Sequence, residues 1–353
     1  MQKYEAHEFA ERTAAETLKH QQQVAKDARE DATGRRITEL YGKAADQLGS
    51  EHSAVRIAGL YGLERLAQDH CDPRLRQMIV NVISAYLRMP ARQQTDEGLP
   101  ADEQEAAVRS IALDILFKHL GGVPRRGVWT EHDDYWGLLD LNLSEASLPD
   151  FNFTGFRLRS ARFDGTDFTG AVLFGNGEFA RSARFSNARF RKGADFNNLQ
   201  VAHRAHFDYA RFDGQVLFYN CQFTHTILLP WAKFDAPLAF ENCYFARAAH
   251  FYRAEYRGGI EILNSELRGT LSLGGAQIHS RIHLAGNEFS DLDSLDANYT
   301  AGETNRIPPW VTLGEGEYNI DHELPDGLVV EATAERPGDD SAHKWGRLVH
   351  ITE

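Results

Sequence analysis

The sequence predicts an α+β protein of several domains: a run of helices at the N-terminal end, followed by a segment that winds on itself. Three observations lead there. From Phe163 one apolar residue recurs at alternating gaps of five and six, through Phe168, Phe174, Phe179, Phe185, Phe190 and Phe196 to Ile278, Leu284 and Phe289, and no position breaks the series. Two residues before each anchor from Phe185 to Ile262 stands a small or aliphatic residue, such as Ala183, Ala188, Leu199, Val216, Cys221, Leu238, Cys243 and Ile260. Ahead of residue 122 the pattern is instead helical, with capping residues and a Gly-Gly stop. A helix repeats its apolar face near 3.6 residues and an ordinary strand at 2. A period of eleven fits neither. It fits a chain of short straight segments, each sending two side chains inward and the rest outward.

The helical part opens on residues 5–32, a polar stretch rich in Ala, Glu, Gln and Lys, which are good helix formers. Its apolar positions are few (Phe9, Leu18, Val24), so it reads as a solvated stalk or one strand of a weak coiled coil. Residues 36–48 place Ile37, Leu40, Tyr41, Ala44 and Leu48 on one stripe. Ser53 stands as an N-cap for the next helix, whose Val55, Leu60, Leu63 and Leu66 face inward. Asp72-Pro73 opens a helix that ends before Pro90. A polar linker follows, and Asp102 caps a helix that stops at Gly121-Gly122. The predicted organisation is a polar helix over 1–35, a helical domain over 36–122, a linker over 123–140, the winding segment over 141–290, and an acidic cap or tail over 291–353. Its first turns keep a pure five-residue spacing (Leu143, Leu148, Phe153, Leu158, Phe163) before the five-six alternation takes over. Pro308-Pro309, Pro325-Asp326-Gly327 and Pro337-Gly338 mark turns in the tail, where short capping strands are expected around the alternating run GLVVEATAE.

Charge is uneven. The chain carries a formal charge of -13. Residues 141–300 hold 17 acidic and 16 basic residues, whereas 301–353 hold 11 acidic and 4 basic. The winding segment is thus nearly neutral and the tail strongly acidic, and nucleic acid is not an expected ligand. There are three cysteines without zinc-like spacing; Cys221 and Cys243 lie two repeats apart and read as stacked core thiols rather than a disulfide or metal pair. No apolar stretch is long enough to span a bilayer, and the polar first residues do not resemble a secretion signal. A cytoplasmic location is the expectation.

The runs Ala161-Arg162-Phe163-Asp164-Gly165, Ala188-Arg189-Phe190-Arg191-Lys192 and Ala210-Arg211-Phe212-Asp213-Gly214 resemble pentapeptide repeats: a small residue, a polar one, Phe or Leu, then two polar or small ones. The resemblance covers roughly 141–290. It implies a right-handed, four-sided parallel β-helix of about seven coils, with 22 residues per coil where five and six alternate. The segments YGKAADQLGSEHSAVRIAGLYGLERLAQDH and DEQEAAVRSIALDIL resemble the helical leader domain of actinobacterial pentapeptide-repeat proteins. Relatives of that kind often carry membrane helices ahead of this domain, so membrane association is expected only through segments outside the present sequence.

No nucleophile elbow, zinc-protease motif, phosphate loop or dinucleotide fingerprint occurs, and neither a cofactor nor a metal is expected. His203/His206 and His279/His283 have helix spacings but fall in the repeat, where such spacing does not share a face, so they read as solvated. The acidic pairs Asp133-Asp134 and Asp339-Asp340 read as loop residues, and Gly175-Asn176-Gly177 as a turn. With a coil of 22, outward residues should stack in columns: Tyr209, Trp231 and Arg253 in one, His206, Leu228 and His250 in another, with Tyr252 and Pro230 beside both. Exposed aromatics and arginine on a polar surface mark a candidate partner patch: His206, Tyr209, Leu228, Trp231, His250, Tyr252 and Arg253. The leading functional expectation is a non-catalytic scaffold for protein–protein interaction. The resemblance also brings a topoisomerase-binding DNA mimic, against which the near-neutral repeat argues. The architecture brings a carbohydrate-active enzyme, against which the lack of a recurring acidic column argues. The N-terminal helix and the end of the β-helix are the candidate routes to a homo-oligomer.

Overall fold

The computed structural model describes residues 2–90, 101–121 and 134–280, followed by 282–285, 287–289, 295–296, 300–301, 310–313, 328–333 and 344–350; side chains are described for 16–90, 103–121, 134–280 and Asn287. The chain forms two compact units, one of Met1–His70 with Gln93–Val108, the other of Cys71–Arg92 with Arg109–Glu353.

The first unit holds α1 (Gln2–Leu48), α2 (Ser53–Asp69) and the residues of α4 (Ala101–Leu120) up to Val108. The two helices expected over 5–32 and 36–48 run as one. Gly34 between them costs only about 1 kcal/mol relative to Ala, whereas nucleating a second helix costs roughly 4 kcal/mol at a nucleation constant of about 10⁻³. Every side chain from Glu16 to Arg36 is exposed. Ala44 and Leu48 are buried, but Leu40 is 41% exposed and Val55 36%, so neither contributes to the core as expected. Burial in α2 falls on Leu60, Leu63, Leu66 and Ala67. At the crossing of α1 and α2 a Cβ on Gly59 would stand 2.8 Å from the Ala44 carbonyl oxygen, so only glycine lets the backbones meet. Ser53 is not the N-cap. It is the first helical residue, His52 precedes it without a side-chain cap, and the Ser53 hydroxyl donates to Gln104 Oε1 at 3.2 Å. The predicted Asp102 cap lies outside the described side chains.

The second unit begins with α3 (Pro73–Arg88), capped as expected by Asp72, whose carboxylate accepts the Arg74 N–H. Behind it stands a parallel β-solenoid. Strands of two to four residues stack into four parallel sheets of eight, eight, seven and seven strands, one sheet per side of the winding chain. About six turns are described in full between residues 140 and 280. In chain order the sides open with Asp140–Asn142 (first face), Ser147–Leu148 (second), Phe151–Asn152 (third) and Arg157–Leu158 (fourth). The register reports the repeat length. Asp140 pairs with Ser160, Phe151 with Val172, and Ala161 with Ala183, so the coil grows from 20 to 21 to 22 residues as the six-residue steps enter. The spacing loosens again at the far end, where Leu271 pairs with Leu295.

Every anchor from Phe163 to Ile278 is at most 3% exposed, and so are the small residues preceding them, apart from Ala194 at 5%. Inside, rings stack coil on coil. Phe163, Phe185 and Phe207 lie 4.9 and 4.8 Å apart. Phe168, Phe190, Phe212, Phe234 and Tyr256 form a second ladder at 4.5–5.1 Å. Phe174, Phe196, Phe218 and Phe240 form a third at 4.5–5.4 Å. Cys221 and Cys243 are free and buried, each sulfur near a carbonyl of the preceding coil, Phe196 at 2.9 Å and Phe218 at 3.3 Å; burial pushes the Cys221 thiol well above its ordinary pKa. They are core thiols.

An open solenoid end exposes strand edges that invite pairing with other chains. Here α3 covers the first one. The Gln77 side-chain amide donates to the Asp140 carbonyl and accepts the Asp140 N–H, both at 2.8 Å, as a neighbouring strand would. Phe117 of α4 lies 5.2 Å from Phe151 and 4.9 Å from Phe153, closing the stack of rings. Gly121 then bridges Phe156 where α4 stops. At the other end Trp310–Leu313, Lys344–His350 and Leu328–Thr333 form an antiparallel sheet with Lys344–His350 central. Leu328–Thr333 falls on the alternating run GLVVEATAE.

Candidate interaction surface

The turns between faces decide which outward residues meet. Nine non-glycine residues take the left-handed conformation at intervals of eleven: Asn176, Asn187, Asn198, Tyr209, Asn220, Trp231, Asn242, Arg253 and Asn264, with φ between 49° and 59°. Asparagine is the natural occupant, because its short amide tolerates this region better than a bulky side chain does. After the third face the column runs from Gly155 to asparagine at every coil from Asn176 to Asn264, and Asn220 donates to Asn198 and Asn198 to Asn176. After the first face it runs Glu145, Gly165, Asn187, Tyr209, Trp231, Arg253, Gly275. Three successive coils therefore put a large side chain where backbone strain argues for a small one.

Those three are the outward column predicted from the spacing. The Tyr209 and Trp231 rings stack at 5.1 Å and 5°, and the Arg253 guanidinium sits 5.4 Å over the indole. Tyr252 meets Trp231 edge-on at 5.7 Å, and His250 meets Tyr252 at 5.9 Å. Leu228 lies between His206 and His250 in register on the first face. His206 turns toward Asp208, Nδ1 to Oδ2 3.3 Å. All seven residues thus fall on the first face and its following corner, and five touch in one chain of rings and guanidinium. Tyr209 is 54% exposed and Trp231 37%. What spacing did not reveal is the strain: only the dihedrals show that these columns occupy left-handed turns, although the alternation of Asn every eleven residues was a signal for it.

The second face is different. Its outward residues form a lattice of paired charges. Arg191 holds Asp167 at 2.7 Å, Arg189 holds Asp213 at 2.8 Å, Arg211 bridges Asp213 and Asp235, Arg257 bridges Asp235 and Glu255, and Lys233 meets Glu255. Arg184, on the first face, pairs with Asp164. The basic residues of this region are consumed locally, and so are the acids. The hydrogen bond from Arg191 holds the Asp167 carboxyl below its ordinary pKa. Asp213 also titrates low: burial raises it, but Arg189 and Arg211 together outweigh that. A depressed folded pKa adds stability that is complete above the unfolded value, about 3.9, and vanishes as pH falls through the folded one. The melting temperature of the solenoid is therefore expected to hold from pH 7 to about 5 and to fall below roughly pH 4. Asp167→Asn should flatten that acid limb; an unchanged limb would show that this pair does not matter.

The remaining histidines scatter. His203 stacks on His225 at 4.7 Å along the corner before the first face, away from the His206–Asp208 contact, and His279 lies 3.7 Å from Glu255. His283, Asp133 and the Asp339-Asp340 pair lie outside the described side chains. Among the described residues no group of three or more His, Cys, Asp or Glu is placed to hold a metal ion. No helix of the described residues is long and apolar enough to cross a membrane.

A family model for pentapeptide repeats, in eight copies, matches residues 138–173, the first coils of the solenoid just described. This stretch of the chain is built of pentapeptide repeats. No curated protein and no solved structure matches it. In the solenoid described above the inward pair of each short segment is fixed by packing, while the outward positions are free of that constraint. In this pentapeptide-repeat protein those free positions carry a self-neutralised lattice on the second face and an aromatic column at the edge of the first.

Proposed function

We propose that this pentapeptide-repeat protein is a non-catalytic scaffold that engages a protein partner through the first face of the solenoid, with Tyr209, Trp231 and Arg253 as the central contacts. One observation carries the reading. Holding a non-glycine residue in the left-handed region costs roughly 1–2 kcal/mol, and asparagine, used at most equivalent corners, lowers that cost. Strain retained at three adjacent coils, on exposed aromatic residues, favours a role outside folding. Tyrosine, tryptophan and arginine are also the residues most enriched at the centres of protein interfaces.

The test separates binding from folding. The double variant Tyr209→Asn/Trp231→Asn should fold with a stability within about 1 kcal/mol of the parent, since relief of strain offsets the lost stacking of about 0.5–1.5 kcal/mol. Partner recovered from native lysate by the intact chain should drop at least tenfold with that variant. Equal recovery would exclude this surface. A DNA-mimicking role draws less support, because mimicry needs an uncompensated acidic surface, whereas the second face pairs its carboxylates with arginine and lysine.

A further inference from the structure

At the opposite edge of the first face, the corner after the fourth face carries charge without compensation. Four successive coils place there Ala180-Arg181-Ser182, Ala202-His203-Arg204, Thr224-His225-Thr226 and Ala246-Arg247-Ala248, and none of these twelve residues is acidic. The register of Gln200 with Glu178 and Gln222, and of Gln222 with Tyr244, aligns Arg181, His203, His225 and Arg247 in one column and brings Arg204 into the next. Arg181, Arg204 and Arg247 are exposed. None of the three makes an ion pair among the described residues, in contrast to the arginines of the second face. Nearby carboxylates are engaged elsewhere: Glu178 with Arg157, Glu266 with Arg268, Asp164 with Arg162 and Arg184, Asp208 with His206. The histidines sit within the strip. Their rings stack, the Ser182 hydroxyl lies 3.3 Å from His203 Nδ1, and His225 Nδ1 accepts the Thr226 N–H at 2.8 Å. Burial holds the His225 imidazole below its ordinary pKa, and the neighbouring His203, Arg204 and Arg247 push it the same way.

We propose that this strip recognises an acidic, Asp/Glu-rich segment of the same protein partner, lying along the solenoid axis beside the aromatic column. The inference rests on the partner-binding reading of the first face. From Arg181 to Arg247 is three coils, about 14 Å at about 4.8 Å per coil, which four to five residues of extended peptide cover. The strip is two columns wide, and its rings are the stacked His203–His225 imidazoles, with no Trp, Tyr or Phe to serve as a platform for nucleic-acid bases. The chain as a whole is acidic, at -13, which disfavours a long polyanion or an anionic membrane while leaving a short carboxylate segment free to seat on a strip that lacks acids. Against the matched arginines of the second face, these three unmatched ones, two in one column and one in the next, form a complementary surface.

The probe is a fluorescein-labelled octaglutamate peptide, followed by anisotropy on the full chain at low and at moderate salt. Saturable binding is expected, weakened by added salt and reduced at least tenfold by the triple variant Arg181→Glu/Arg204→Glu/Arg247→Glu. Should that variant not fold, the neutral triple Arg181→Gln/Arg204→Gln/Arg247→Gln is expected to lose binding at least threefold. Trp231→Asn should leave peptide affinity within twofold. Absence of saturable binding, equal binding by the folded triple variant, or tighter binding of an octathymidylate or of phosphatidylserine vesicles would overturn the proposal. The aromatic reading is judged separately: it fails if Tyr209→Asn/Trp231→Asn still captures partner, whatever the peptide does.

Discussion

Phe196→Ala is expected to lower the unfolding free energy by about 3–5 kcal/mol. Phe196 is fully buried, stacked 5.4 Å from Phe174 below and 4.5 Å from Phe218 above, with Phe185 and Phe207 edge-on at 6.0 and 5.8 Å. The hole cannot close by side-chain shifts alone, since the coils above and below are held apart by the strand ladders in which Ala194–Asn197 pairs on both sides. A solenoid couples only nearest neighbours, so the loss falls on the adjoining coils and unfolding should become less cooperative. Urea denaturation followed by circular dichroism reads both effects. Replacing an outward, exposed residue of the same coil, such as Gln200→Ala, should cost less than about 1 kcal/mol. A loss below 1 kcal/mol for Phe196→Ala would mean that the inner stack is not what holds the coils together.

Glu105→Ala should destabilise the first unit by about 3–5 kcal/mol. Arg56 Nη2 meets Glu105 Oε2 at 3.1 Å, and both side chains are only 4% exposed. Arg56 also donates to the carbonyls of Ser50 and Glu51 in the turn between α1 and α2. Removing the carboxylate leaves a guanidinium buried without its counter-charge, which costs far more than an exposed pair would. The double variant Arg56→Met/Glu105→Leu should recover most of the loss, because an apolar pair of similar volume carries no desolvation penalty. Thermal melts of the three proteins decide this: a double variant as unstable as Glu105→Ala would place the cost in packing and not in charge.

These two sites differ in how far the sequence reveals them. Phe196 is marked for the interior by its place in the eleven-residue series. Arg56 and Glu105 are 49 residues apart, and nothing local tells that pair from solvated charges. Leu40 and Val55 show the converse: their helical spacing marked them for the core, yet both remain more than a third exposed. Ser53 likewise has the right chemistry for a cap but stands one residue inside the helix, with its hydroxyl turned to Gln104.

On the solenoid the division is sharper. Spacing alone identified the winding, the buried anchors from Phe163 to Ile278, and the columns that place Tyr209, Trp231 and Arg253 in line, since whether a residue points inward depends on its position along the coil and is written locally. The rest depended on lateral registration and backbone dihedrals. The pairing of Arg189 with Asp213 and Arg191 with Asp167, the strain beneath Trp231, and the unmatched cations at Arg181, Arg204 and Arg247 arise only when coils lie side by side. A charge some 22 residues away becomes a neighbour through strand pairing, and a one-dimensional pattern sets which residues share a column but not whether their side chains meet, bond or remain free to take a partner.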